Sequence, residues 1–342
     1  MGVDLGNIIE RKEIDFNYLK NKVVAVDAFN TLYQFLSSIR GQDGNYLMDS
    51  KGRVTSHLQG LFSRSLNLMG KGIKLVYVFD GVAPKLKFKE NQNRSDRKVY
   101  AEQMYKEAVN EENIDDMYKY SRQFMRLNDE MIKESKLLLE AMGIPYVQAP
   151  SEAEGQVAYM CKNKLVDFAA SQDYDSILFG APRLIRNLTL SQKRKIRGGK
   201  TVFTFLELVE LNEVLDSLEL NQDQLIALGI LTGTDFNVGG VKGIGAKKAL
   251  KLVKDYKDVN SFDKLFNSLN VDFNWREIYD LFANLPYEKN INLKFNDINE
   301  DKVREVLVVE HEFNLERINS LLQKYKDENK NTGQKGLGEF FS

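Results

Sequence analysis

Seven carboxylates carry most of the chemistry that this chain offers. Asp27 lies within the apolar run 22–29 (KVVAVDAF), and Asp80 follows a second run, 74–79 (KLVYVF). Two acidic pairs come next, each split by one residue: Glu152/Glu154 in APSEAEG and Asp173/Asp175 in SQDYDS. Asp235 closes the sequence LTGTD. The first six fall at or just beyond the C-terminal ends of short apolar runs that read as strands, and Asp235 ends a helical pattern. Acidic residues delivered by successive strand ends converge at one edge of an α/β sheet, where such folds place their sites. Gathered there, they repel one another and cannot all stay ionised unpaired. An all-oxygen set suits hard cations such as Mg²⁺ or Mn²⁺. Two such ions roughly 4 Å apart suit phosphodiester hydrolysis.

Local readings compete with that one. Ser151-Glu152-Ala153-Glu154 is also an S-x-x-E capping box, in which Glu154 reaches back to the Ser151 backbone. Asp173 and Asp175 are also turn formers. Each pair alone leaves both readings open, and the number of strand-end carboxylates favours ligands. His57 and His311 are far apart in sequence and near no Ser or Cys nucleophile motif, which argues against a triad hydrolase. The single cysteine, Cys161, excludes a disulfide framework and a cysteine-built zinc site, and its place in an amphipathic helix reads as core packing.

The runs 22–29 and 74–79 read as strands buried on both faces. Further strands are expected at 144–148, 168–171, 184–188 and 201–205, the last two flanking a basic hairpin tip, 191–200 (SQKRKIRGGK). Helices are expected at 31–39, 55–69, 151–164, 206–215 and 223–231. A Gly-Ile-Gly turn at 243–245 opens a lysine-rich helix reaching 256, and smaller helices fill the region to about 324. The polar stretch 327–336 reads as disordered. The pattern predicts an α/β fold with a mostly parallel central sheet flanked by helices. Between its second and third strands lies a long helical insertion. Lys85, Lys87, Lys89, Arg94, Arg97 and Lys98 crowd its start, and Met117, Tyr120, Phe124, Leu127, Met131 and Leu138 follow at helical spacing. It reads either as a solvated hairpin or as a phosphate-contacting element.

With 342 residues and 43% apolar content the chain can bury a large core. Its net charge of −1 gives no sign of a nucleic-acid partner, although the charges are unevenly spread. No apolar run approaches the roughly 20 residues that span a bilayer. The start has no signal-peptide core, so a soluble intracellular protein is expected.

In this order, VDAFNTLYQFL, YVFDG, APSEAEGQVAYM, SQDYDSILFG, GILTGTDFN and GVKGIGAKKAL resemble the successive motifs of the structure-specific 5′ nucleases (XPG/Rad2-like). The likeness is greatest to the flap endonucleases of archaeal type and runs over nearly the whole chain. It implies a PIN-like nuclease core with a helical arch and a helix-hairpin-helix-type element. The corresponding division is 1–84 and 129–238 for the core, 85–128 for the arch, 239–326 for the hairpin element and C-terminal helices, and 327–342 for a flexible tail. The implied activity is Mg²⁺-dependent removal of 5′ flaps from DNA, with 5′-3′ exonuclease activity, in Okazaki-fragment maturation and repair.

By motif, Asp27, Asp80, Glu152, Glu154, Asp173, Asp175 and Asp235 correspond to the cage of two Mg²⁺ ions, for which Mn²⁺ substitutes. Lys87 and Arg94 match the pair that grips the scissile phosphate, with Arg97 and Lys98 as further arch contacts. Tyr33 matches a tyrosine that stacks on a base near the junction, and helix packing is its other reading. Thr55 and Arg64 fall where the family holds a short 3′ flap. Lys242, Gly243, Gly245, Lys247 and Lys248 correspond to the duplex-binding turn, which works with a monovalent cation. Gln334, Leu337, Phe340 and Phe341 fit the box that binds the sliding clamp (PCNA). The resemblance also implies an amino terminus close to the site. Without a basic nuclear-import tail after the box, a monomer in the cytoplasm, associated with the nucleoid, is expected. Two rival readings are a related 5′ exonuclease or bubble nuclease, and a non-catalytic scaffold docked on the clamp. Bubble-cutting relatives carry a far longer spacer between the positions of Asp80 and Glu152, and a scaffold would be expected to have lost cage carboxylates.

Overall fold

The computed structural model describes residues 3–41, 45–110, 120, 127–190, 192–195 and 201–338. Met1 and Gly2, part of the expected insertion helix around Met117 and Phe124, and Phe340 and Phe341 lie outside the described residues.

The runs rich in Val and Ala form strands that pair in parallel. Strand β2 (Val23–Asp27) lies between β3 (Lys74–Phe79) and β5 (Phe168–Ala170), with β4 (Tyr146–Gln148) beyond β3 and β6 (Arg183–Arg186) beyond β5. Two antiparallel strands, β9 (Leu206–Glu210) and β1 (Lys12–Ile14), complete a seven-stranded sheet of order β1-β9-β6-β5-β2-β3-β4. Successive side chains of β2 point to opposite faces. Val24 and Val26 join a core with helices α1 (Ala28–Ser38) and α2 (Ser56–Gly70), whereas Ala25 joins a core with the Ala153–Lys162 and Gln222–Thr232 helices. Among the described residues no helix is long and apolar enough to cross a membrane.

Several sequence expectations are corrected. Residues 206–210 are strand, not the start of a helix, because Leu206 and Leu208 face one core and Val209 the other while β6 and β1 bond both edges. The helical pattern through Leu127 to Leu138 is interrupted: Asn128 caps a new helix, Asp129–Ala141, its side chain accepting from Met131 N at 2.8 Å. The stretch 327–336 is helical, part of Leu315–Gly338, with Lys324–Glu328 and Gln323–Asp327 side-chain pairs one turn apart along it. The basic hairpin is also shifted: β8 (Thr201–Phe203) pairs antiparallel with β7 (Lys193–Lys195), inside the expected tip, while β6 pairs with β5 and β9 instead.

Both histidines are buried and converge on one carboxylate. His57 Nε2 and His311 Nε2 each stand 3.3 Å from a different oxygen of Glu134. His311 Nδ1 is 3.7 Å from Asp49, which accepts from Arg53 Nε at 2.7 Å. The cluster joins the start of α2 to the Asp129–Ala141 helix and to the segment following residue 310.

The turn after β3 is tied to the turn after β4. Gly81 N donates to Ser151 O at 2.7 Å and Val82 N to Pro150 O at 3.1 Å. A Cβ on Gly81 would lie 2.2 Å from Ala149 O and 2.6 Å from Pro150 O, backbone atoms with no room to yield. Gly81→Ala is therefore expected to destabilise the fold by about 1–3 kcal/mol, read as a lower denaturation midpoint. An unchanged midpoint would show that the two turns are not locked together.

Candidate active site

Strand order reverses between β5 and β2, and the carboxyl ends of β2, β3, β4 and β5 face one crevice. Asp27 is the last residue of β2 and caps α1, accepting from Asn30 N at 2.9 Å. Asp80 follows β3 and accepts from Ala153 N at 2.7 Å, so it caps the helix that begins beyond β4. Glu152 occupies the N-cap position of that helix, and its side chain makes no capping bond. The alternative Ser151–Glu154 box is absent: Ser151 donates to Val82 O, and Glu154 accepts from Ser171 Oγ at 2.8 Å. Glu154 is thereby left facing the crevice. Asp173 accepts from Asn30 Nδ2 at 3.1 Å, and Asp175 from Val3 N at 2.9 Å. Asp235 sits in a loop held by Asn237, which bonds Thr234 and Ile230 O.

All seven carboxylates line one cavity of about 650 Å³, together with Tyr33, Lys87 and Lys98. Lys87 contacts Glu152 and stands 3.4 Å from Asp235 Oδ2. Burial pulls this lysine down, but Glu152 and Asp235 outweigh it and hold the ammonium above the ordinary lysine value. Burial raises Asp27, with Asp80 adding to the effect, and raises Glu154, with Asp175 adding. Burial and Glu152 push Asp80 up to about 6; burial, Asp235 and Asp173 push Asp175 up to about 7. Seven oxygen-bearing groups with neither sulfur nor imidazole form a donor set that fits a hard cation. Among the described residues no three acidic, His or Cys side chains are already closed around a point that could hold one.

Of the other sequence candidates, Tyr33 projects from α1 at 37% exposure, with Lys98 Nζ 4.7 Å from its ring centroid. Arg94 and Arg97 lie on α3 (Phe88–Asn110), and Arg97 is exposed. Arg64 is half-buried beside Ser63, Asn67, Lys71 and Gln192 in a separate pocket of about 320 Å³. Thr55 is only 5% exposed, at the start of α2. Gly243 has φ +79° and Gly245 is the N-cap of the Ala246–Val253 helix; Ile244 between them is buried, and Lys242, Lys247 and Lys248 are exposed. The turn thus plugs its apolar residue into the core and presents glycine backbone and ammonium groups outward. Gln334 and Leu337 lie on the Leu315–Gly338 helix. Sequence reasoning missed Asn30, Ala153, Ser171 and Val3 as donors to the carboxylates. Asn30 stands inside VDAFNTL, and its spacing from Asp27 is the one signal that could have revealed it.

Asp80 and Asp175 bind protons in the fold at pH values where the unfolded chain has lost them. The stability this confers is fully present below about pH 4 and is lost as pH rises through about 6 to 7. In EDTA, Asp175→Asn is therefore expected to match the unsubstituted protein near pH 5 and to exceed it in melting temperature near pH 8, the gap growing by up to about 1.4 kcal/mol per pH unit. Parallel melting curves across that range would contradict the assignment.

Residues 1–101 match the XPG N-terminal domain and residues 143–235 the XPG I-region. Flap endonuclease 1 of Pyrococcus furiosus is 48% identical to this chain, over 100% of the chain and 99% of the relative. That of Hyperthermus butylicus is 46% identical, over 95% and 94%. Among solved structures, flap endonuclease-1 from Methanococcus jannaschii matches with TM-score 0.76 and 38% identity, over 97% of this chain and 100% of its own. The catalytic core of Rad2 in complex with DNA substrate shares the fold at TM-score 0.69 and 23% identity, over 95% and 100%. Sequence likeness across the full length, and a cavity that gathers the carboxylates of successive motifs, lead to one conclusion: the chain belongs to the flap endonuclease family of XPG nucleases.

Proposed function

We propose that this protein is a structure-specific 5′-flap endonuclease that hydrolyses DNA phosphodiesters at the junction of duplex and single strand, in Okazaki-fragment maturation and DNA repair. The observation that carries this reading is the single cavity shared by seven carboxylates and two lysines. Asp27, Asp80, Glu152, Glu154, Asp173, Asp175 and Asp235 would hold two Mg²⁺ ions, with Mn²⁺ as a substitute. Bound there, such ions supply the Lewis acidity that phosphodiester hydrolysis at neutral pH requires.

The protein's own groups do the rest. Lys87 and Arg94 stabilise charge that grows on the phosphate oxygens in the transition state. Tyr33 offers a ring face to the base beside the junction, and Lys98 and Arg97 track the flap strand through residues 85–128. Arg64 and Thr55 serve the 3′ side of the junction, Thr55 from a buried position at the start of α2. At 242–248 the glycine backbone approaches duplex phosphates, lysines add charge, and a monovalent cation completes the contact. Gln334, Leu337, Phe340 and Phe341 engage the sliding clamp, and the protein acts as a monomer. A non-catalytic scaffold is disfavoured because every acidic position of the motifs is retained and lines the cavity.

Cleavage of a labelled 5′ flap, a nicked duplex and a bubble in Mg²⁺ tests the reading. The flap is expected to be cut preferentially, and Asp175→Ala to lose about 10³-fold or more in rate. A protein inert on the flap, or a variant as fast as the parent, would refute it; preference for the bubble or for exonucleolytic cutting at the nick would favour a related nuclease. Lys87→Ala is expected to slow the chemical step about 10²–10³-fold while DNA affinity changes little, because it acts in the transition state. Equal losses in rate and affinity would instead make it a simple binding residue.

A further inference from the structure

Lys87 is placed where a bound cation would have to compete with it. It comes from the short helix Lys85–Lys87, which runs directly into α3, so its position is that of the base of the insertion. Its ammonium contacts Glu152, at the helix start after β4, and stands 3.4 Å from Asp235, in the loop after the Gln222–Thr232 helix. All three side chains are largely buried, with exposures of 16%, 9% and 13%. The ammonium therefore bridges carboxylates from two distant parts of the chain.

A second cation cannot use the same carboxylate oxygens without strong repulsion from that ammonium. Lysine is a compact charge on a flexible four-carbon stem, able to swing away without moving the backbone far. We propose that Lys87 is the metal site's own competing cation. Its ammonium neutralises Glu152 and Asp235 when no divalent ion is loaded, and loading displaces it. Displacement also frees the Lys85–Lys87 turn and the base of α3. Metal loading and the position of Lys87 toward a phosphate are in this way one coupled equilibrium, and coupling of this kind is reciprocal. Lys98 lines the same cavity but rests against Tyr33, its Nζ 3.4 Å from the hydroxyl, and it has no such role. The inference rests on the reading of the carboxylates as the metal site.

The test is Mn²⁺ binding to the full-length, DNA-free protein, followed by calorimetry. Lys87→Met removes the charge and keeps the length; it is expected to bind Mn²⁺ about 5- to 50-fold more tightly than the parent, with Lys98→Met unchanged. Lys87→Gln serves as a second neutral variant if Lys87→Met folds poorly. Amide hydrogen exchange over residues 85–88 is expected to quicken when Mn²⁺ is added to the parent, and to be already quick in Lys87→Met. Equal or weaker Mn²⁺ affinity in the neutral variants, with binding still lost in Asp175→Asn, overturns this inference alone. Mn²⁺ binding that Asp175→Asn leaves untouched overturns the site reading and the inference with it.

Discussion

Repulsion among carboxylates gathered at one sheet edge is the constraint on which the rest of this structure turns. Burial and like charge push Asp80 and Asp175 up to about 6 and 7, so the cluster strains the fold whenever it is ionised without cations. The protein meets that strain with fixed donors. Backbone N–H groups of Asn30, Ala153 and Val3 hold Asp27, Asp80 and Asp175, and the Asn30 and Ser171 side chains hold Asp173 and Glu154. Lys87 brings a full positive charge into contact with Glu152 and Asp235. Such an arrangement is unfavourable as a stability device and supports the proposed cation site.

Rigid parts deliver the acids. Five short parallel strands end along one line, and helices of two separate cores clamp the sheet from either side. The cap positions matter twice over. Asp27 and Asp80 each cap a helix start with one oxygen and leave the other for the cavity. The acid that fixes the backbone and the acid that faces the crevice are then the same residue, and secondary structure sets the geometry directly.

Much of this was legible in the sequence. The apolar runs ending in Asp27 and Asp80 and the two paired acids marked the strand ends, and the cavity unites all seven candidates. The capping box at Ser151 was one of two open readings, and distant partners remove it: Ser151 donates to Val82 O, Glu154 accepts from Ser171, and the Asp80 side chain reaches Ala153 N from another strand. Long-range pairing of that sort leaves no trace in local spacing. The same applies to β9, whose LELVE suits helix or strand until β6 and β1 bond it on both sides. The meeting of His57 and His311 on Glu134 was equally invisible, because three distant segments create it.

The central claim is that these seven carboxylates form one divalent-cation site. Anomalous scattering from a crystal of the protein soaked in Mn²⁺ tests it most directly. The account predicts two peaks about 4 Å apart within the cavity lined by Asp27, Asp80, Glu152, Glu154, Asp173, Asp175 and Asp235. A cavity without a peak, with Mn²⁺ found only at other carboxylates of the surface, would contradict it.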